Sequence, residues 1–70
     1  MTDIHIRRSG HVGRITLQRP DALNAMTYNM CQKIDAALKS WADDSSVNCV
    51  LIDALGNRAF CAGGDIADLY

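Results

Sequence analysis

The stretch that most constrains the fold of this chain is residues 47–55, where apolar side chains follow one another almost without interruption. The apolar residues at its centre are Val47, Cys49, Val50, Leu51 and Ile52. A β-branched and aliphatic run of this kind is typical of a strand covered on both faces, as in parallel sheets. We therefore expect a buried strand here and an α/β architecture around it.

Two segments nearer the N-terminus show the two-residue alternation of half-buried strands. Residues 4–7 alternate apolar and polar side chains, and residues 13–18 do so again. Ser9 and Gly10, which lie between the two segments, are turn residues. Together these features predict an antiparallel hairpin.

An amphipathic helix is predicted between the hairpin and the buried strand. Its apolar side chains recur at three- and four-residue steps and so share one face, and they are Met30, Ile34, Ala37, Leu38 and Trp41. Thr27 is a suitable N-cap, because its side-chain oxygen can accept a hydrogen bond from a free N–H of the first turn. We expect the helix to cover about residues 27–42 and its apolar face to lie in the core.

Length and composition limit the functional classes. The chain has 70 residues, of which 49% are hydrophobic, and its formal net charge is −1. This balance is that of a packed protein, and it argues against nucleic-acid binding and against a polybasic membrane anchor. No apolar run reaches the roughly 20 residues of a membrane-spanning helix. Because the sequence stops within a predicted helix, we expect it to be an incomplete segment of one larger domain.

The three cysteines are widely spaced and odd in number. Cys31, Cys49 and Cys61 form no C-x-x-C pair and have no histidine cluster nearby, so neither a disulfide framework nor a metal site is predicted. Reduced thiols are typical of an intracellular protein, and we expect a cytoplasmic location. Cys31 and Cys49 fall in apolar stretches, which predicts that both lie in the core.

The residues that point to chemistry follow the buried strand, where Ala62, Gly63 and Gly64 precede Asp65 and the start of a helix. Glycine lets a backbone N–H approach a ligand closely, and the first N–H groups of a helix lack intrahelical acceptors. Such amides can stabilise a developing negative oxygen. The alternative is a tight turn without function. For Asp65, capping of the following helix is favoured over acid catalysis, and for Cys61 a packed side chain is favoured over a reactive thiol.

Two separate motifs, in this order and at this distance, point to a family. They are Leu17-Gln18-Arg19-Pro20-Asp21-Ala22-Leu23-Asn24-Ala25-Met26 and Arg58-Ala59-Phe60-Cys61-Ala62-Gly63-Gly64-Asp65-Ile66. With the surrounding hairpin, helix and strand, they strongly resemble the enoyl-CoA hydratase/isomerase (crotonase) superfamily over about residues 4–70. Two stretches are most similar to the 3-hydroxyisobutyryl-CoA hydrolases. They are Ala37-Leu38-Lys39-Ser40-Trp41 followed by Asp43-Asp44, and Phe60-Cys61-Ala62-Gly63-Gly64-Asp65-Ile66 leading into Leu69-Tyr70.

This resemblance implies a fold and a set of site residues. The fold is the N-terminal part of an α/β crotonase-like spiral of β-β-α units, with residues 1–70 as an incomplete segment of a single acyl-CoA domain. The backbone N–H of Ala62, beside Gly63 and Gly64, matches one of the family's two oxyanion donors. The other matching positions lie along the bound CoA, and they are Leu23, Asn24 and Ala25 at the pantetheine arm and Asp65 and Ile66 near the adenine and pantetheine.

The resemblance also implies a reaction, the hydrolysis of an acyl-CoA thioester in valine catabolism, with CoA as part of the substrate and no separate cofactor. An enoyl-CoA hydratase or isomerase is the alternative, because both chemistries use the same oxyanion hole. The full-length relatives are expected to be homotrimers or hexamers. The family's second oxyanion donor and catalytic carboxylates match positions beyond Tyr70, so an inactive fragment is the alternative from another class. For Arg19 and Arg58, contact with a CoA phosphate and simple solvation both stay open.

Overall fold

Strands and helices follow one another in the order that the sequence predicts. A computed structural model describes residues 3–69, without the side chains of Ile66 and Leu69. The elements are β1 (Ile4–Ser9), β2 (Val12–Leu17), a short 3₁₀ helix (Pro20–Ala22), α1 (Tyr28–Ala42), β3 (Cys49–Ala54) and α2 (Ile66–Leu69). Tyr70, the last residue of the second predicted helix, lies outside the described residues. Within residues 3–69, neither α1 nor α2 has the length and apolarity needed to cross a bilayer.

The three strands form one sheet in the order β1-β2-β3. β1 and β2 are antiparallel, with Ile6 opposite Ile15, which confirms the predicted hairpin. Its turn lies at Gly10 and His11, and Gly10 has a φ of +60°, a conformation that favours glycine. β2 and β3 are parallel, with Ile15 beside Ile52, so α1 is the crossover between two neighbouring strands.

The core lies between α1 and the paired strands β1 and β2. Its buried apolar residues are Ile4, Ile15, Leu17 and Met30. Ile34 and Trp41 of α1 pack against this cluster while partly buried. Met30, Ile34 and Trp41 of the predicted apolar stripe are therefore confirmed as part of the core, whereas Leu38 is 42% exposed.

One contact defines the start of α1, and another fixes its last turns against the sheet. At the start of the helix, the Thr27 hydroxyl accepts a hydrogen bond from the Met30 N–H at 3.1 Å, which confirms the predicted N-cap. Near its end, the Trp41 ring lies against Gly13 of β2. A Cβ atom at Gly13 would come within 2.6 Å of that ring, so this approach requires a residue without a side chain.

Strand β3 is exposed, and the expectation that it is buried on both faces is wrong. Val50, Leu51 and Ile52 are 39%, 50% and 42% exposed, and consecutive side chains of a strand lie on alternate faces. β3 is the edge strand of the described sheet, and the core cluster under α1 is built on β1 and β2. Within residues 3–69, both faces of β3 are therefore largely uncovered.

The expectation that Cys31 and Cys49 lie in the core is also wrong, because both are exposed. Cys31 is seven residues from Leu38, so the two share one side of α1, and Leu38 is exposed as well. Cys49 begins the exposed strand β3. An apolar neighbourhood in the sequence does not by itself specify which side of an element faces the core.

The sheet face opposite α1 carries a polar network that links all three strands. The Thr16 hydroxyl donates to Asp53 Oδ1 at 2.5 Å and accepts from Arg7 Nη1 at 2.5 Å. Arg14 Nη2 lies 3.3 Å from Asp53 Oδ2. The Thr16 hydrogen bond, with smaller contributions from the two guanidinium groups, lowers the pKa of Asp53. These contacts add side-chain links to the backbone pairing of β2 with β3.

The buried side chain of Asn24 ties the segment after β2 to the segment after β3. Asn24 is 1% exposed and has a φ of +56°, a left-handed conformation that asparagine tolerates better than most residues. Its Nδ2 donates to the carbonyls of Leu55 and Ala59 at 2.8 and 3.1 Å. Its Oδ1 accepts from the Arg19 N–H at 2.9 Å. One amide group therefore holds three backbone groups from two segments.

We expect the isolated 70-residue polypeptide to be loosely packed and to self-associate through β3. Apolar side chains lie along a strand edge that pairs with no described strand, and such edges readily pair with other chains. Leu51→Lys places a charge on that strand and should shift sedimentation toward the monomer. Leu38→Lys, at an exposed apolar position of α1, is the control and should change the distribution little. A monomeric wild-type polypeptide with a sharp cooperative melt would contradict this expectation.

Asn24→Asp should destabilise the full-length protein. The substitution keeps the size of the side chain but replaces the two amide donors by an oxygen that faces the Leu55 and Ala59 carbonyls. Each buried group left unsatisfied costs about 1–3 kcal/mol of the free energy of unfolding, measured by denaturant titration. Asn57→Asp is the matched control, because Asn57 is exposed. Equal free energies of unfolding for the two variants would argue against the role given to Asn24.

Candidate active site

The segments that follow β2 and β3 meet at one edge of the sheet. We refer to residues 18–27 as the first loop and to residues 55–65 as the second loop. Because β2 and β3 are parallel, with Leu17 beside Ala54, both loops leave the sheet at the same edge. The carboxyl ends of parallel strands are the usual place for ligands in open α/β sheets.

Backbone hydrogen bonds hold the two loops against each other. The Met26 N–H donates to the Gly63 carbonyl at 2.7 Å, and the Met26 carbonyl accepts from the Asp65 N–H at 2.8 Å. These two bonds form a short parallel bridge. The Ala62 N–H donates to the Leu23 carbonyl at 3.0 Å. The second loop is thus tied to the first loop on both sides of the glycine pair.

The glycine pair leaves part of the second loop open to a ligand. Ala62, Gly63 and Gly64 are exposed, and Gly63 has a φ of +100°, which favours glycine. The Gly63 N–H lies 3.4 Å from the Cys61 sulfur, a weak acceptor. The Gly64 N–H has no acceptor among the described residues. The Ala62 N–H points to Leu23 here, so its assignment as an oxyanion donor stays a prediction.

Arg19 and Asp65 form an ion pair between the loops. Arg19 Nη2 lies 3.1 Å from Asp65 Oδ2, and Arg19 Nη1 donates to the Ala25 carbonyl at 2.7 Å. Asp65 Oδ1 accepts from the Asp68 N–H at 3.3 Å, which confirms Asp65 as the N-cap of α2. Asp68 Oδ2 in turn accepts from the Tyr28 N–H at 2.6 Å, so the first turns of α1 and α2 are linked.

A cavity of about 210 Å³ lies between the loops, and its lining includes Asp21 and Arg58. Arg58 is exposed and makes no ion pair within residues 3–69. Its guanidinium is therefore available to an anionic ligand. Arg19, by contrast, is engaged with the Ala25 carbonyl and Asp65. Of the two arginines that flank the motifs, Arg58 is the better placed for a phosphate.

The titratable groups with shifted pKa values lie outside both loops. Hydrogen bonds from the Ser46 hydroxyl and N–H lower the pKa of Asp44, which follows α1, and Asp53 lies within β3. His11 Nδ1 lies 2.8 Å from the Ser46 carbonyl oxygen. In the described part of the chain, no group of three or more His, Cys, Asp or Glu side chains is placed to hold a metal ion. Within the described residues, the groups of the two loops that are available to a ligand include the Gly64 N–H and the Arg58 guanidinium.

The structure brings the residues predicted for the site together, with two qualifications. Ala62, Gly63, Gly64 and Asp65 of the second loop lie along Leu23 and Ala25 of the first loop. Asn24 also lines the cavity, but its side-chain hydrogen bonds to Arg19, Leu55 and Ala59 all hold backbone groups of the protein. The side chain of Ile66 lies outside the described residues.

Sequence reasoning did not predict the pairing of Arg19 with Asp65. The two residues are far apart in the sequence and lie in different motifs. Their opposite charges, with Arg19 near the start of the first motif and Asp65 near the end of the second, are the signal that could have suggested it. That signal becomes specific only once the parallel strands place the two loops side by side.

Comparison with known proteins agrees with this geometry. The sequence matches the family described as enoyl-CoA hydratase/isomerase over residues 12–70. It is 48% identical over 65 residues to the mitochondrial 3-hydroxyisobutyryl-CoA hydrolase of Danio rerio, covering 93% of this chain and 17% of that protein. The Homo sapiens protein of the same name is 44% identical over 64 residues, with 91% of this chain and 17% of that protein covered.

Solved structures are similar to this chain in both sequence and fold. The crystal structure of an enoyl-CoA hydratase from Rhodobacter sphaeroides 2.4.1 is 60% identical, with a TM-score of 0.92, covering 97% of this chain and 20% of that one. A carnitinyl-CoA dehydratase from Mycobacterium thermoresistibile is 40% identical, with a TM-score of 0.90 and the same coverage of 97% and 20%. The chain thus spans a fifth or less of the length of these relatives. Its hairpin, crossover helix and parallel strand are the N-terminal part of a crotonase fold, and the chain belongs to the enoyl-CoA hydratase/isomerase family.

Proposed function

We propose that the protein carrying this chain hydrolyses an acyl-CoA thioester and that its substrate is 3-hydroxyisobutyryl-CoA. The observation that carries this proposal is the exposed backbone of residues 62–64, held by the first loop at the carboxyl edge of two parallel strands. The name shared by the relatives from Danio rerio and Homo sapiens supports the choice of substrate. Such a reaction would serve valine catabolism.

Backbone amides in the second loop would act by stabilising an oxyanion. Water attacks the thioester carbonyl carbon, and the π electrons of the C=O bond move onto its oxygen. The tetrahedral intermediate then collapses and the C–S bond breaks. CoA leaves as a thiolate that takes up the proton lost by the attacking water, so the free acid and the CoA thiol form. An amide donor lowers the barrier because it binds the negative oxygen more strongly than the neutral carbonyl. We assign this donor to Ala62, whose N–H would then exchange the Leu23 carbonyl for the substrate oxygen.

The remainder of the substrate would lie across both loops. We expect the pantetheine arm to pass along Leu23 and Ala25, which are partly buried and present small or apolar surface. Arg58, beside the cavity, would bind a CoA phosphate with its free guanidinium. CoA is part of the substrate in this proposal, and no separate cofactor takes part.

An enoyl-CoA hydratase or isomerase is the second candidate. The specific observation in its favour is the 60% identity with the enoyl-CoA hydratase from Rhodobacter sphaeroides 2.4.1. The same amides would then stabilise an enolate oxygen. The isolated 70-residue polypeptide is expected to be inactive in either case, since loss of one oxyanion donor costs about 100- to 1000-fold in rate.

Assembly and compartment belong to the same proposal. We expect the full-length protein to form a homotrimer or a homohexamer. The relatives from Danio rerio and Homo sapiens are named as mitochondrial proteins, and the cytoplasmic location expected from the cysteines stays a prediction.

Ala62→Pro removes the proposed donor and should lower kcat of the full-length protein by about 100- to 1000-fold. Binding of CoA, measured by calorimetry, should be largely retained, because the lost interaction is formed in the transition state. Ala62→Gly keeps the N–H and should lower kcat by a much smaller factor. Unchanged turnover in Ala62→Pro would refute the assignment of the donor.

The choice between the two reactions is tested by substrate. With 3-hydroxyisobutyryl-CoA, we expect the full-length protein to release free CoA thiol, which a thiol reagent detects. With crotonyl-CoA, we expect little loss of the absorbance of the conjugated thioester. Rapid hydration of crotonyl-CoA without thiol release would replace the proposed hydrolase by the hydratase.

A further inference from the structure

The ion pair between Arg19 and Asp65 affects catalysis as well as the fold, on the condition that the proposed function is correct. Arg19 lies two residues after the end of β2 and directly precedes Pro20, whose ring restricts the backbone at that point. Its side chain is 20% exposed, and the guanidinium joins the two loops, with the Ala25 carbonyl oxygen at 2.7 Å and Asp65 Oδ2 at 3.1 Å. Asp3 Oδ2 lies 4.0 Å from Arg19 Nε, at the exposed side of the group.

Asp65 is held from three directions. Its Oδ2 pairs with Arg19, its Oδ1 accepts from the Asp68 N–H at 3.3 Å, and its own N–H donates to the Met26 carbonyl at 2.8 Å. The side chain of Asp65 is 23% exposed, so solvent screens the ion pair less than it screens a surface pair. Asp65 therefore provides a fixed end for the segment that precedes it.

The segment that Asp65 holds needs such an anchor. Gly63 and Gly64 have no Cβ, and glycine backbones sample more conformations than those of other residues. The orientation of the amides in residues 62–64 consequently depends on what fixes the ends of the segment. On the N-terminal side of Gly64 this is the hydrogen bond from the Met26 N–H to the Gly63 carbonyl, and on its C-terminal side it is Asp65.

We propose that Arg19 is a positioning residue for the oxyanion donors. Through Asp65 it sets the orientation of the amides in residues 62–64, and through the Ala25 carbonyl it sets the position of the first loop against them. A planar guanidinium can serve both acceptors at once, whereas the ammonium of lysine is a point charge. In this role Arg19 does not touch the substrate and does not bind a CoA phosphate.

The test uses Arg19→Gln, Arg19→Lys, Asp65→Asn and the double variant Arg19→Gln/Asp65→Asn in the full-length protein. Each is assayed with an acyl-CoA and with the corresponding acyl-pantetheine, which lacks the nucleotide and its phosphates. We expect Arg19→Gln to lower kcat by about 100-fold with both substrates, the size of effect seen when a reacting group is misplaced by about 1 Å. KM should change by less than about threefold, and Arg19→Lys should recover part of kcat.

Because Arg19 acts through Asp65, the double variant should be no slower than the slower single variant, a non-additivity expected for two residues in one contact. Arg8→Gln is the matched control, since Arg8 also pairs with an aspartate, Asp44 at 2.9 Å, at the far end of the sheet. Its kcat should equal that of the wild-type protein. The melting temperature of each variant is measured beside the kinetics.

Three outcomes would overturn the inference. In the first, Arg19→Gln keeps the wild-type kcat. In the second, it raises KM for the acyl-CoA but not for the acyl-pantetheine, as loss of a phosphate contact would. In the third, its kcat falls only in proportion to the fraction of folded protein, and Arg19→Lys is equally affected. Failure of the proposed function is distinguishable, because the wild-type protein would then release no thiol from any acyl-CoA. If it hydrates crotonyl-CoA instead, the same variants are compared on that reaction, where the expected losses in kcat are the same.

Discussion

The parallel pairing of β2 with β3 is the constraint on which the rest of this structure depends. Two neighbouring strands that run in the same direction cannot be joined by a tight turn, so the chain must cross over between them, and α1 is that crossover. The same pairing places Leu17 beside Ala54 and brings both following loops to one edge. An antiparallel β3 would send the second loop to the opposite edge, and no shared site could form.

Two irregular loops that meet in this way have many backbone groups to satisfy. Several of those near the contact are paired between the loops, by the bridge at Met26, the Ala62 to Leu23 bond and the amide of Asn24. A rigid loop pair is what a site of backbone donors requires, since an amide has no rotatable side chain with which to find its ligand. The hydrogen bonds between the loops therefore serve the site as well, because they hold the exposed glycine pair in a fixed place.

The ion pairs at the two ends of the sheet differ in their structural role. Near the hairpin turn, Arg8 pairs with Asp44 at an exposed position, where an ion pair contributes little to stability. At the loop edge, Arg19 and Asp65 are mostly buried, and each has a further hydrogen bond to backbone. A buried pair with its remaining groups satisfied restricts geometry more than an exposed pair does. The arrangement around residues 62–64 thus rests on polar contacts, while the core under α1 rests on apolar packing.

The sequence by itself determined the helices and strands, because periodicity and capping are local properties. The hairpin, the apolar stripe of α1, its Thr27 cap and the Asp65 cap of α2 all follow from neighbouring residues. Its motifs also identified the family and the segment around Ala62. Only the tertiary structure decided what faces water, as exposed Ile52 and Cys31 show, and which distant side chains meet, as Arg19 and Asp65 do. Burial and long-range pairing depend on how elements lie across one another in space, and no local pattern of residues contains that information.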